Sequence, residues 1–144
     1  SLNYPEGGKR PLSSMSPMIL LSKENGKVRM TGGASGGPRI ITATVQVLLN
    51  YMSRGMDLLS AVKAPRLHAQ LLPDLVYVED HTLVSDDLEI KNADEVNTEL
   101  EILGHTTTWW GKSMGVSQYI AIDPDTQMMT GVSDPRKNGR PCGL

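Results

Sequence analysis

The sequence lacks most features that would mark a specialised class. A single cysteine, Cys142, excludes an intrachain disulfide. No Cys/His cluster has metal-binding spacing. No apolar run approaches the ~18 residues needed to cross a bilayer. The opening, SLNYPEGGKRP, has no apolar core region and does not read as a signal peptide. Net charge is −2, so there is no basic excess to suit nucleic acid and no charge block to act as a solvating tail. Internal repeats and Asn-x-Ser/Thr acceptors are also missing. What is left is ordinary globular composition over 144 residues, enough for one domain with a proper core. Residues 1–10, rich in Gly, Pro and charge, read as a linker or loop.

The most informative stretch runs from Met30 to Gly55. A short apolar run leads into small residues, Gly32, Gly33, Ala34, Ser35, Gly36 and Gly37, which are expected to form a loop. Pro38 then suits a helix start, because its missing N–H costs nothing there. Gly55 suits a stop. A helix over 38–54 follows, with apolar Ile40, Ile41, Val45, Val47, Leu48, Leu49, Tyr51 and Met52. That is more than one stripe, so burial on most sides is expected. Upstream, MSPMILLS and KVRMTGG flank an Asn25-Gly26 turn and read as a β-hairpin. Downstream, Asp57 caps a short helix that Pro65 ends. LVYVE is an alternating strand, and 85–104 is an amphipathic helix capped by Ser85 or Asn92 and ended by Gly104. The last third reads as a meander of TTTWW, GVSQYIAID and QMMTGVSD, with a tight turn at Asp123-Pro124-Asp125. Hairpins and helices segregated in this way predict an α+β fold, with antiparallel strands and helices packed on the faces.

Candidate chemistry lies in two places. The first amides of a helix point outward without partners, the helix dipole adds positive charge there, and glycines allow close approach. Gly36 and Gly37 therefore form a candidate site for a carboxylate, a phosphate or an oxyanion. No Lys-Ser/Thr follows, so this is not a P-loop, and GxGxxG is not matched convincingly. The alternative is a turn that only lets a helix pack on a sheet. The adjacent hydroxyls of Ser13 and Ser14 are able to donate to one carboxylate; the alternative there is a simple turn. His68, His81 and His105 read as structural or loop residues. Trp109 and Trp110 read as partly buried. Asp134 and Arg136 read as a surface ion pair that ties the tail weakly. The acidic residues of 85–104 read as a solvated face.

KRPLSSMSP, GASGGPRIIT, QVLLN, APRLHAQLLPD, MGVSQ and SDPRKNGRP, in this order, resemble the small subunit of the γ-glutamyltranspeptidases, or glutathione hydrolases. The similarity runs from about Lys9 to the end. It implies membership of the N-terminal-nucleophile hydrolases, an αββα sandwich built from two subunits made by self-cleavage. It also implies that Ser13 and Ser14 hold the substrate α-carboxylate and that Gly36 and Gly37 line the oxyanion hole. No metal or organic cofactor is implied. The implied partners are the large subunit, the N-terminal part of the small subunit, and glutathione or another γ-glutamyl amide. An extracellular, cell-surface or vacuolar location is implied as well.

The sequence also departs from the family pattern. The nucleophilic threonine of a Thr-Thr-His type motif is absent, and Thr31, Thr42, Thr44 and Thr106 to Thr108 stand in the wrong contexts. The acidic residue that would bind the substrate α-amine is missing too. The expectation is a single-domain fragment, 1–144, that starts inside the small subunit and is inactive alone. Two other readings stay open: a non-catalytic truncated relative that binds an anion or a partner, and a related superfamily acylase acting on another amide.

Overall fold

The computed structural model describes residues 3–80 and 93–143. The first hairpin joins β1 (Met18–Leu21) to β2 (Val28–Ser35). Its turn closes as Asn25-Gly26 predicts. Gly26 takes φ +68°, Asn25 Oδ1 accepts from the Lys27 N–H, and the Ser22 N–H donates to Lys27 at 2.8 Å. The chain then forms α1 (Arg39–Met52) and α2 (Leu58–Lys63), β3 (Leu67–His68), β4 (Val76–Glu79), α3 (Ala93–Ile102), β5 (Thr107–Trp110), β6 (Val116–Ile122) and β7 (Met129–Ser133). A 3₁₀ turn, Pro135–Lys137, follows.

Two sheets result. One is β1-β2-β6-β7, antiparallel throughout; the other is β3-β4-β5. The inner face of the larger sheet offers Met30, Tyr119, Ala121 and Val132 to Val47 of α1 and to Leu58, Ala61 and Val62 of α2. This is the α+β architecture expected, with helices on a sheet face. Gln46 of α1 reaches the smaller sheet, pairing both its amide groups with the backbone of Leu67 at 2.7 and 2.8 Å.

Local chemistry sets the element ends. The Asp57 carboxylate accepts from the Ser60 N–H at 3.0 Å and caps α2. Asp123 Oδ1 accepts from the N–H groups of Asp125 and Thr126, which closes the β6–β7 hairpin. α1 starts at Arg39, with Pro38 already in helical conformation.

Four expectations need correction. Gly32 to Ser35 are not loop: they continue β2 and pair with β6 as far as Val116. The turn proper is confined to Gly36, Gly37 and Pro38. Small residues extend the strand here because Tyr119 of β6 lies where a side chain at Gly32 would stand. Second, the last third is not a single meander. β5 lies parallel to β4, Val76 opposite Thr107, a pairing that needs a crossover such as the one containing α3. Third, α1 is not buried on most sides. Ile41, Val45, Leu49 and Met52 are 47–55% exposed, because one sheet covers only one helix face. Fourth, Asp134 and Arg136 are not on the surface: both side chains are sealed from solvent, because Arg66 and Glu79 supply buried partners. Within the long amphipathic segment, Ala93–Ile102 is helical and Gly104 follows its end; His81, Ser85 and Asn92 lie outside the described residues.

Candidate functional site

The antiparallel pairing of β1 and β2 puts Met18 opposite Gly32. The chain entering β1 and the chain leaving β2 therefore share one end of the sheet. Pro17 still runs beside β2, its Cα 3.7 Å from where a Cβ on Gly33 would stand. Ser13 and Ser14 lie just upstream on this stretch, and Gly36 and Gly37 just past the end of β2. Ser13 is exposed and Ser14 half-buried. Ser13 Oγ accepts from the Met15 N–H at 3.0 Å, a turn contact, while the Ser14 carbonyl accepts from Ser16 Oγ at 3.1 Å. The Ser14 hydroxyl makes no hydrogen bond among the described residues.

The glycine turn is shaped by two different constraints. Gly36 takes φ +141°, and a Cβ there would come within 2.8 Å of the Gly115 Cα. Gly37 takes φ +62°, and a Cβ there would meet nothing within 4 Å. Position 36 is thus glycine for close packing as well as conformation, and position 37 for backbone conformation alone. Ile40 donates to the Gly37 carbonyl at 3.1 Å, but neither the Gly36 nor the Gly37 N–H has an acceptor among the described residues. These donors sit at the N-terminus of α1, exposed, where partial positive charge gathers. Chemically, the end of the sheet offers unpaired backbone donors on one segment and hydroxyls on its neighbour.

The start of α1 is held from the other sheet. The Arg39 guanidinium lies 4.0 Å from the centroid of the Trp110 ring. Trp110 meets Tyr77 edge-on, and Tyr77 stacks on His68. His68 is buried, with one ring nitrogen 2.9 Å from Thr42 Oγ1 and the other 3.0 Å from Gln70 Oε1. It is a packed residue, as expected. Trp110 is partly buried, while Trp109 is almost half exposed.

Beneath the same end of the sheet lies a cluster of four charges. Arg66 pairs with Asp134 at 2.8 Å, and Arg136 pairs with Asp134 at 3.2 Å and with Glu79. All four side chains are sealed from solvent, and the two positive and two negative charges balance. Most of the remaining donors and acceptors are used, although Arg66 Nε has no partner among the described residues. Glu79 accepts from the N–H groups of Arg66 and Met114, and Asp134 from those of Ser117 and Arg136. Arg136 also donates to the carbonyls of Val62, Lys63 and Ala64 at the end of α2. Burial pushes the Asp134 carboxyl up, but Arg66, Arg136 and the two N–H donors outweigh it and hold it below the ordinary value. Burial lowers Arg66, as does the neighbouring Arg136, and Asp134 and Glu79 only partly offset this. The sequence reading missed Arg66 and Glu79. The available signal was a carboxylate ending an apolar alternating strand, and an arginine beside a helix-ending proline.

A sequence model described as Gamma-glutamyltranspeptidase matches residues 1–144. Glutathione hydrolase 2 of Arabidopsis thaliana is 42% identical over 98% of this chain and 25% of its own length. A glutathione hydrolase proenzyme of Pseudomonas aeruginosa is 40% identical over 99% of this chain and 23% of its own. Glutathione hydrolase 4 of Arabidopsis thaliana, whose name carries the word inactive, is 51% identical over 54% of this chain and 40% of its own. The match therefore spans about a quarter of the length of the first two relatives and 40% of the third. Among solved structures, the γ-glutamyltranspeptidase of Pseudomonas nitroreducens complexed with L-DON superposes with a TM-score of 0.75 at 36% identity, covering all of this chain and 68% of that one.

Proposed function

Because the chain belongs to the γ-glutamyltranspeptidase family, we propose that it carries half of an acyl-transfer site for γ-glutamyl amides, glutathione among them. Ser13 and Ser14 hold the substrate α-carboxylate. The N–H groups of Gly36 and Gly37 receive the oxyanion. The observation that supports this reading is the shared end of the sheet: the chain enters β1 at the end where it leaves β2, and the glycine donors have no acceptor among the described residues.

The reaction runs in two steps. A threonine supplied from outside this chain attacks the γ-carbonyl carbon through its Oγ. Its proton passes to its own α-amine and then to the departing amine. The carbon–nitrogen bond breaks, a γ-glutamyl ester remains, and cysteinylglycine leaves when glutathione is the donor. Water or an acceptor amine then takes the acyl group. In each step negative charge on oxygen meets the Gly36 and Gly37 amides; one such donor is worth about 3 kcal/mol of barrier. The large subunit and the rest of the small subunit complete the site. The P. aeruginosa relative is named a proenzyme, in keeping with a precursor that is cut.

The 144-residue chain alone is expected to give no turnover of a γ-glutamyl anilide. The full-length protein that carries it is expected to turn the anilide over. A folded full-length protein without turnover favours a non-catalytic binding role instead, the reading that the similarity to an inactive-named relative supports.

A further inference from the structure

Gly115 is where the buried charges and the glycine turn meet. Arg66 donates through Nη1 to the Gly115 carbonyl at 2.8 Å and through Nη2 to Asp134 at 2.8 Å. The same Asp134 oxygen accepts from the Ser117 N–H at 2.8 Å, and the Asp134 N–H donates to the Ser117 carbonyl at 3.1 Å. One ion pair thus grips both ends of the segment Gly115–Ser117. Between them, Val116 opens β6 opposite Ser35, the last residue of β2. Ser113 Oγ adds a second donor to the Gly115 carbonyl at 2.8 Å.

Gly115 is itself wedged. It takes φ +92°, and a Cβ there would stand 3.2 Å from both the Ala43 Cβ and the Ser35 carbonyl oxygen. On its other flank a Cβ on Gly36 would meet the Gly115 Cα. Backbone thus lies against backbone with no side chain between to absorb a shift. A displacement of Gly115 passes to Ser35, Gly36 and the first turns of α1.

We infer that the Arg66–Asp134 pair is a positioning device for the Gly36–Gly37 donors, acting through Gly115. Arg66 touches no substrate; it fixes the peptide against which the turn rests. A forked guanidinium suits the task, since it binds Val62, Gly115 and Asp134 at once. A lysine at 66 keeps the charge beside Asp134 but has no fork to hold the Gly115 carbonyl as well. The catalytic side of this inference rests on the proposed oxyanion role of Gly36 and Gly37; the geometric side does not.

The experiment compares Arg66→Lys with the parent in the full-length protein carrying 15N-glycine and 15N-alanine. The Gly115, Gly36 and Gly37 amide resonances are expected to move, while Ala121, in the sheet core, stays. With γ-glutamyl p-nitroanilide, kcat is expected to fall at least tenfold with KM within about twofold, the split expected when an interaction made only in the transition state is lost. Should Arg66→Lys fail to fold, Asp134→Glu serves in its place, since it keeps all four charges and shifts the carboxylate that holds Arg66 and the Ser117 N–H. Unmoved Gly36 and Gly37 resonances in a folded variant overturn the inference. Moved resonances with unchanged kcat uphold the positioning and sink the oxyanion role instead.

Discussion

Tyr119 fills the space that a side chain at position 32 would need: the two residues face each other across β2 and β6, and a Cβ on Gly32 would overlap the ring. The Tyr119 hydroxyl continues past the sheet and donates to the Thr44 carbonyl of α1 at 3.0 Å. One side chain therefore crosses the glycine strand and pins the helix behind the turn. Gly32→Ala is expected to destabilise the protein by about 1–3 kcal/mol through overpacking. Urea unfolding at neutral pH measures this. The double variant with Tyr119→Phe, which removes the hydroxyl but keeps the ring, is expected to recover none of the loss. Recovery would place the conflict at the helix rather than at the ring.

Local signals made the elements legible, while the joins between them were not. Asn25-Gly26, Asp57, Pro65 and Asp123-Pro124-Asp125 each do what their side chains dictate, because turns and caps are decided within a few residues. Gly32 to Ser35 misled because small residues look like loop until the ring that requires them is known. The parallel β4–β5 pair misled because strand partners are long-range, and nothing in TTTWW records its neighbour. Ser13, Ser14, Gly36 and Gly37 stand out in the sequence as candidates because adjacent hydroxyls and unhindered glycine donors carry their chemistry in the residue type. Asp134 and Arg136 read from the sequence as a surface pair, since burial of a charge depends on partners, here Arg66 and Glu79, that lie far off in sequence.

Acid should loosen the buried cluster. Folded, the Asp134 carboxyl titrates below its ordinary value of 3.8. Between the two values the unfolded chain binds more proton, so stability rises with pH across that window. The contribution is complete above about 3.8 and is lost as pH falls through the folded value. Asp134→Asn is expected to cost about 3–5 kcal/mol at neutral pH, because Arg66 and Arg136 lose a buried counter-charge. The acid limb of its stability profile is also expected to flatten. Chemical denaturation from acid to neutral pH checks both, and an unchanged limb would assign the acid sensitivity elsewhere.

The serines and the glycines should fail in different ways. Ser14→Ala in the full-length protein is expected to raise KM for γ-glutamyl donors about tenfold, as loss of one hydrogen bond to a charged group implies. Its effect on kcat is expected to be small, since in the proposed role the α-carboxylate is bound alike in ground and transition states. A donor analogue without the α-carboxylate is expected to show no further loss. Equal losses with both donors would remove Ser14 from carboxylate binding. Ser13→Ala is expected to act in the same direction and to disturb the turn as well, since Ser13 Oγ already holds the Met15 N–H.

Position 37 separates backbone geometry from bulk. A Cβ there meets open space, so substitution costs little by collision, but φ +62° disfavours most side chains. Asparagine tolerates that region, whereas a β-branched residue does not. Gly37→Asn is therefore expected to keep kcat near the parent value, while Gly37→Val turns the peptide and lowers kcat by about 10²–10³, the loss typical of one missing oxyanion donor. KM should move little in either. Steady-state kinetics of the two variants with one γ-glutamyl anilide decide the matter: equal kcat values would mean that the conformation at residue 37, and so the aim of its N–H, has no part in the chemistry.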